Sequence, residues 1–222
     1  MLGGILALRL KDRLHLILGV SAGMVFAAGF LDLLPESIKL LGDTDKAFFF
    51  ALLGFFFYMI MDRFFSLHAH HEEGEHIHRG GLRAVTLSFH SLIDGLTIGY
   101  AFLLSPLLGI PIGIAVVAHD MSDGINTVVA VMKNGNKEMI KKAKKWLLID
   151  AIAPVLGIIL STIFVISENS VGYVLAIVSG FFIYISASDL IPESYHHHPK
   201  FWTSFSTILG VIFMCIILQF AK

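Results

Sequence analysis

Hydrophobic residues in this chain come in long, nearly unbroken runs rather than in the alternating or every-third-or-fourth spacing of a soluble domain. The runs 14–36, 47–67, 84–104, 107–132, 146–166, 171–191 and 201–221 are each long enough to cross a bilayer, which takes about 20 residues of helix. Residues 1–10 are apolar as well, but at about 1.5 Å per residue they cross only about half the hydrocarbon core. The pattern predicts an all-α, polytopic transmembrane helix bundle with seven full spans and a partial first span. The connections between runs are short, the longest being 68–83 and 133–145, so 1–222 reads as a single transmembrane domain.

Composition agrees. Hydrophobic residues make up 56% of the chain and charged residues 15%, far less polar than a soluble domain of this size. A net charge of −1 offers no basic face to nucleic acid. The lone Cys215 excludes a disulfide framework, and the first residues, without a basic stretch or cleavage site, do not read as a signal peptide. Of the 16 Lys and Arg, three (Lys39, Lys46 and Lys222) fall on one side of the predicted spans and the other thirteen on the opposite side. The richer side is expected to face the cytoplasm.

Two apolar runs carry a short His/Asp motif. His90-Ser91-Leu92-Ile93-Asp94-Gly95 and His119-Asp120-Met121-Ser122-Asp123-Gly124 each set a histidine and an aspartate four residues apart, on one face of a helix. Ionisable groups at membrane depth are costly and face a partner, an aqueous cavity or an ion. Two such helices in succession converge most simply on one divalent metal; an interhelical hydrogen-bond network is the other reading. Imidazole and carboxylate suit zinc, iron and manganese, and the lack of thiolate ligands argues against copper(I).

The chain also repeats itself. Residues 23–37 (GMVFAAGFLDLLPES) and 180–194 (GFFIYISASDLIPES) share Gly, Asp, Leu, Pro, Glu and Ser at the same spacing. By the charge-derived topology the two copies run in opposite directions, an inverted repeat of the kind found in transporters. Asp32 and Glu36 then lie at the outer mouth, and Asp189 and Glu193 at the inner mouth, where carboxylates concentrate cations; capping of helix ends is the plainer alternative. The segment 68–78 holds five histidines and three glutamates and reads as an exchangeable metal-collecting loop rather than a closed zinc site. His196-His197-His198 falls on the same side. The glycine pairs Gly19/Gly23 and Gly109/Gly113 have the spacing of close helix packing.

The motifs H-S-x-x-D-G and H-D-x-x-D-G, preceded by F-L-D-L-L-P-E and followed by S-D-L-I-P-E, resemble the Zrt/Irt-like (ZIP) divalent metal transporters. The resemblance implies an eight-helix arrangement of which the first span is mostly missing here, and import of metal toward the cytoplasm. It implies a main site of His90, Asp94, His119 and Asp123, with Ser91 and Asp120 at a second metal position and Met24 as a further ligand; Met24 as a plain core residue remains open. The chain departs from the family in having Ser91 for asparagine, aspartates for the usual glutamates, and Ala153-Pro154 where relatives carry a glutamate before proline. Asp150 is the only nearby acid, either a ligand or an interfacial residue beside the basic loop. One tightly bound metal per chain is expected, with the second position weak.

The function expected is transport of a divalent cation, Zn²⁺ first, with iron, manganese or cadmium as the other candidates. The alternative is a metal-dependent intramembrane hydrolase with an open coordination position. The carrier reading makes the protein no enzyme and gives it no prosthetic group. Its partners are metal ions and the lipid bilayer, a homodimer is open, and its place is the plasma or inner membrane of the cell.

Overall fold

A computed structural model describes residues 14–68, 76–131, 137–196 and 201–220. Every regular element among them is helical: α1 (Leu14–Ala28), a π-helical turn (Gly29–Leu33), α2 (Leu34–Leu41), α3 (Thr44–His68), α4 (His76–Leu104), α5 (Pro106–Val131), α6 (Lys137–Ile163), α7 (Glu168–Ile185), a second π-helical turn (Ser186–Leu190), α8 (Ile191–His196) and α9 (Phe201–Phe220). Among the described residues, six stretches are long and apolar enough to cross a membrane: His15–Leu41, Thr44–Phe64, Leu87–Leu104, Lys141–Ile163, Glu168–Leu190 and Phe201–Phe220. α5, at 26 residues, is long enough as well and carries the second His/Asp motif. The half-span expected at 1–10 and most of the His-rich loop lie outside the described residues.

Turn chemistry sets the joints. Gly42 takes a left-handed conformation (φ 63°) and donates its N–H to the Ile38 carbonyl, ending α2, a role that glycine fills without steric cost. The Asp43 carboxylate then accepts the Lys46 N–H at 3.0 Å and starts α3. Pro106 opens α5 directly after Ser105, whose hydroxyl accepts the Leu107 N–H, as proline in a first helical turn loses no bond. Outward-facing rows such as Phe49, Phe56, Phe57, Ile60 and Phe64 on α3 are exposed. An apolar exterior over a core with buried polar groups suits a bundle surrounded by lipid.

The inverted repeat has a structural counterpart. Each π-turn is closed by the residue that follows it, just before a proline: Leu34 N–H bonds to the Gly29 carbonyl ahead of Pro35, and Ile191 N–H to the Ser186 carbonyl ahead of Pro192. Proline has no N–H to give and its ring crowds the carbonyl four residues back, so both helices widen by one residue at the same point of the repeat. The two copies pack reciprocally. Ser186 Oγ donates to the Ala22 carbonyl at 2.8 Å. At the matching places, a side chain on Gly29 would meet the Ser179 carbonyl at 3.2 Å.

Their outer partners match too. Gly23 in α1 and Gly210 in α9 let those backbones touch, as do Gly180 in α7 and Gly54 in α3. Gly19 and Gly23 thus pack as expected, Gly19 against Ser206 and Thr203. Of the pair Gly109/Gly113, Gly109 packs against the Phe102 ring of α4, and nothing described lies within 4 Å of a Cβ at Gly113.

Candidate metal site

α4 is held against α6 by a close backbone crossing. A Cβ on Gly95 would lie 2.1 Å from the Pro154 carbonyl oxygen, and one on Gly157 would lie 2.3 Å from the Leu92 carbonyl oxygen. Only residues without side chains allow that approach. Residues four apart on each helix share a face, so the turn before Gly95 meets the turn before Pro154. There Ser91 Oγ donates to Asp150 Oδ1 at 2.9 Å, and both side chains are buried.

On the neighbouring part of α4, His90 Nε2 lies 3.2 Å from Asp94 Oδ2, with the side chains 1% and 2% exposed. Two ligand atoms each about 2.0–2.1 Å from zinc at a tetrahedral angle are about 3.3 Å apart. The 3.2 Å separation is a direct contact between the two groups, and it is also the spacing that two ligands of one ion would have. Asp150 lies within electrostatic reach of both Asp94 and Asp120, so three aspartates and a histidine from α4, α5 and α6 share one region inside the bundle.

The sequence leaves Asp150 open between a ligand and an interfacial residue beside the basic loop; its 2% exposure and its bond to Ser91 place its side chain inside the bundle. The α4–α6 glycine crossing, which sequence spacing alone does not reveal, turns it inward.

His119, Asp120 and Asp123 lie on α5, but the side chains of His119 and Asp123 are outside the described residues. Among the described residues, no three His, Cys, Asp or Glu side chains converge tightly enough to hold an ion. Ser21 Oγ donates to the Ala118 carbonyl at 2.7 Å, which ties α1 to α5 next to His119. Met24 is buried and one turn from Ser21, so it lies on the face of α1 that meets the second motif.

The acids of the two repeat copies fall at matching positions. Asp32, in the first π-turn, and Glu36 line one cleft of ≈ 270 Å³ with Lys39, Pro35 and Ser105; Lys39 Nζ bonds Glu36 Oε2 at 2.7 Å. Asp189 occupies the matching place in the second π-turn. Glu193 follows in α8, its side chain outside the described residues, as are residues 69–75 of the His-rich loop.

The pattern of the ZIP Zinc transporter family matches residues 68–218, which includes both His/Asp motifs and the second repeat. The chain belongs to the ZIP family. It is 27% identical to the "Zinc transporter ZupT" of Corynebacterium aurimucosum over 206 residues, covering 82% of this chain and 77% of that protein. It is 28% identical to the "Zinc transporter ZIP10" of Danio rerio over 108 residues, 48% of this chain and 12% of that protein. It is 31% identical to the human "Metal cation symporter ZIP14" over 111 residues, 49% of this chain and 22% of that protein. The match thus spans about an eighth of the Danio rerio ZIP10 and under a quarter of the human ZIP14. As a member of the family with these apolar helices, it is a membrane protein.

Proposed function

We propose that this ZIP protein carries a divalent metal ion, zinc first, across the membrane toward the cytoplasm. The observation that carries the reading is the fully buried His90–Asp94 pair at ligand spacing. An acid and an imidazole held in the interior of a membrane bundle are costly, and a passing cation is what repays them.

In this reading the ion enters past Glu36 and Asp32 and sheds water onto His90 and Asp94 from α4 with His119 and Asp123 from α5. It leaves past Asp189 and Glu193. Asp120, Ser91 and Asp150 form a neighbouring second position, in which Asp150 replaces the acid that relatives carry before the α6 proline. Met24 closes the site from α1. Neutral imidazoles and carboxylates bind zinc less firmly than thiolates do, which suits an ion that must be released. The inverted repeat fits alternate opening of the two mouths and gives a hydrolase nothing, so the transport reading is preferred. The membrane proposed is that of the cell surface, and a second copy is allowed as a partner.

The test is uptake of zinc, manganese, iron and cadmium into proteoliposomes holding the purified protein. Saturable uptake of at least one of these above protein-free vesicles supports the reading; background uptake of all four rejects it.

A further inference from the structure

His90 is backed by an aromatic column that the transport reading leaves without a role. On α3, Phe55, Tyr58 and Asp62 succeed one another at helical spacing and share a face. Tyr184 of α7 is gripped by all three: its ring lies 5.3 Å from Phe55 in a T-shaped contact and 5.5 Å from Tyr58, and its hydroxyl donates to Asp62 Oδ2 at 3.1 Å. Tyr58 meets the His90 imidazole edge to face, with centroids 5.5 Å apart and planes at 77°. Phe181 packs on Tyr58 from the side, at 5.4 Å. Tyr58, Tyr184 and Phe181 are all buried. A ring pressed against an imidazole at this angle allows it little rotation, and such pairs favour this geometry.

We propose that Tyr58 and Tyr184 are positioning residues for His90: Tyr184, clipped by α3, holds the Tyr58 ring, and that ring keeps the His90 Nε2 turned toward Asp94. The inference rests on the carrier reading above and adds to it a link between ligand geometry and helix position. Tyr184 lies two residues before the second π-turn, the point where α7 gives way to the inner-mouth segment with Asp189. Movement of that end of α7 draws Tyr184 out of its clip, frees Tyr58 and loosens His90. Release of the ion is thereby tied to opening of the inner mouth.

The test uses cobalt(II) as the probe on the full chain in detergent, because its visible absorption reports the ligand set and geometry. Wild type is expected to give a cobalt spectrum that His90→Ala abolishes. Tyr58→Leu is expected to weaken cobalt binding by roughly three- to tenfold, the scale of an aromatic contact, and to shift the bands, whereas Tyr58→Phe keeps both.

Tyr184→Phe, which loses only a hydroxyl, should weaken binding in the same direction. Asp62→Asn, whose amide oxygen still accepts the Tyr184 hydrogen bond, should match wild type, while Asp62→Ala follows Tyr184→Phe. Wild-type spectra and affinity in Tyr58→Leu and Tyr184→Phe overturn the inference and leave the carrier site standing. An equal loss in Asp62→Asn and Asp62→Ala makes Asp62 a charged step for the ion and also overturns it. A wild type without a cobalt spectrum, or one unchanged by His90→Ala, rejects the carrier site itself. Should Tyr58→Leu fail to fold, the Tyr184→Phe and Asp62 variants decide alone.

Discussion

Ser91 Oγ and Asp150 Oδ1 are 2.9 Å apart across the α4–α6 crossing, both buried, and their bond joins α6 to the helix that carries His90 and Asp94. A buried carboxylate that loses its donor costs about 1–3 kcal/mol. Ser91→Ala is therefore expected to lower the melting temperature with transport retained. Asp150→Ala should slow transport more than Ser91→Ala does, because it removes a charge beside Asp94 and Asp120. Zinc flux and thermal unfolding of the two variants check this; equal flux in both contradicts a role for Asp150.

The crossing itself depends on Gly95. Gly95→Ala places a Cβ 2.1 Å from the Pro154 carbonyl oxygen, so α6 must shift. The expected destabilisation is about 1–3 kcal/mol, together with loss of the alignment of Ser91 with Asp150. Gly113→Ala, which meets nothing described within 4 Å, should be neutral or stabilising by about 0.5 kcal/mol. Thermal melts of the two variants in one detergent compare them directly.

The two π-turns predict an asymmetry. The Ser186 hydroxyl ties the second turn to α1 through the Ala22 carbonyl, while Gly29, its counterpart, has no side chain to make the same bond. Ser186→Ala should cost about 1 kcal/mol and alter the transport rate while leaving zinc affinity near that of wild type. Flux and equilibrium zinc binding measured side by side test it; a matching fall in affinity would place Ser186 in the metal site instead.

Much of this was legible in the sequence. The long apolar runs marked the helices, and the His/Asp spacing put His90 and Asp94 on one face because a helix requires it. The D-x-x-P-E repeat was visible too, although its consequence, a π-turn before Pro35 and Pro192, follows from what proline does to the carbonyl four residues back rather than from hydrophobic pattern. Asp150 and the Tyr58–Tyr184–Asp62 column were hidden because they are tertiary facts. A lone acid near a basic loop looks interfacial until a glycine crossing turns it inward, and tyrosines within phenylalanine-rich helices read as core. Spacing marks Gly109 and Gly113 alike as a small-residue stripe, and only the neighbouring helix, with Phe102 against Gly109, shows where it makes a contact.

Deleting 69–75, within the His-rich segment, should raise the zinc concentration needed for half-maximal uptake and leave the maximal rate within about twofold, as expected for a loop that collects ions outside the path. Concentration-dependent uptake checks it; complete loss of flux in folded protein would put the loop in the route.

The central claim is that the ion passes through the His90–Asp94 pair joined by His119 and Asp123. It is tested most directly by zinc uptake into proteoliposomes of a His90→Ala, Asp123→Ala double variant with a melting profile like that of wild type. Uptake is expected at the level of protein-free vesicles; flux near that of wild type would contradict this route.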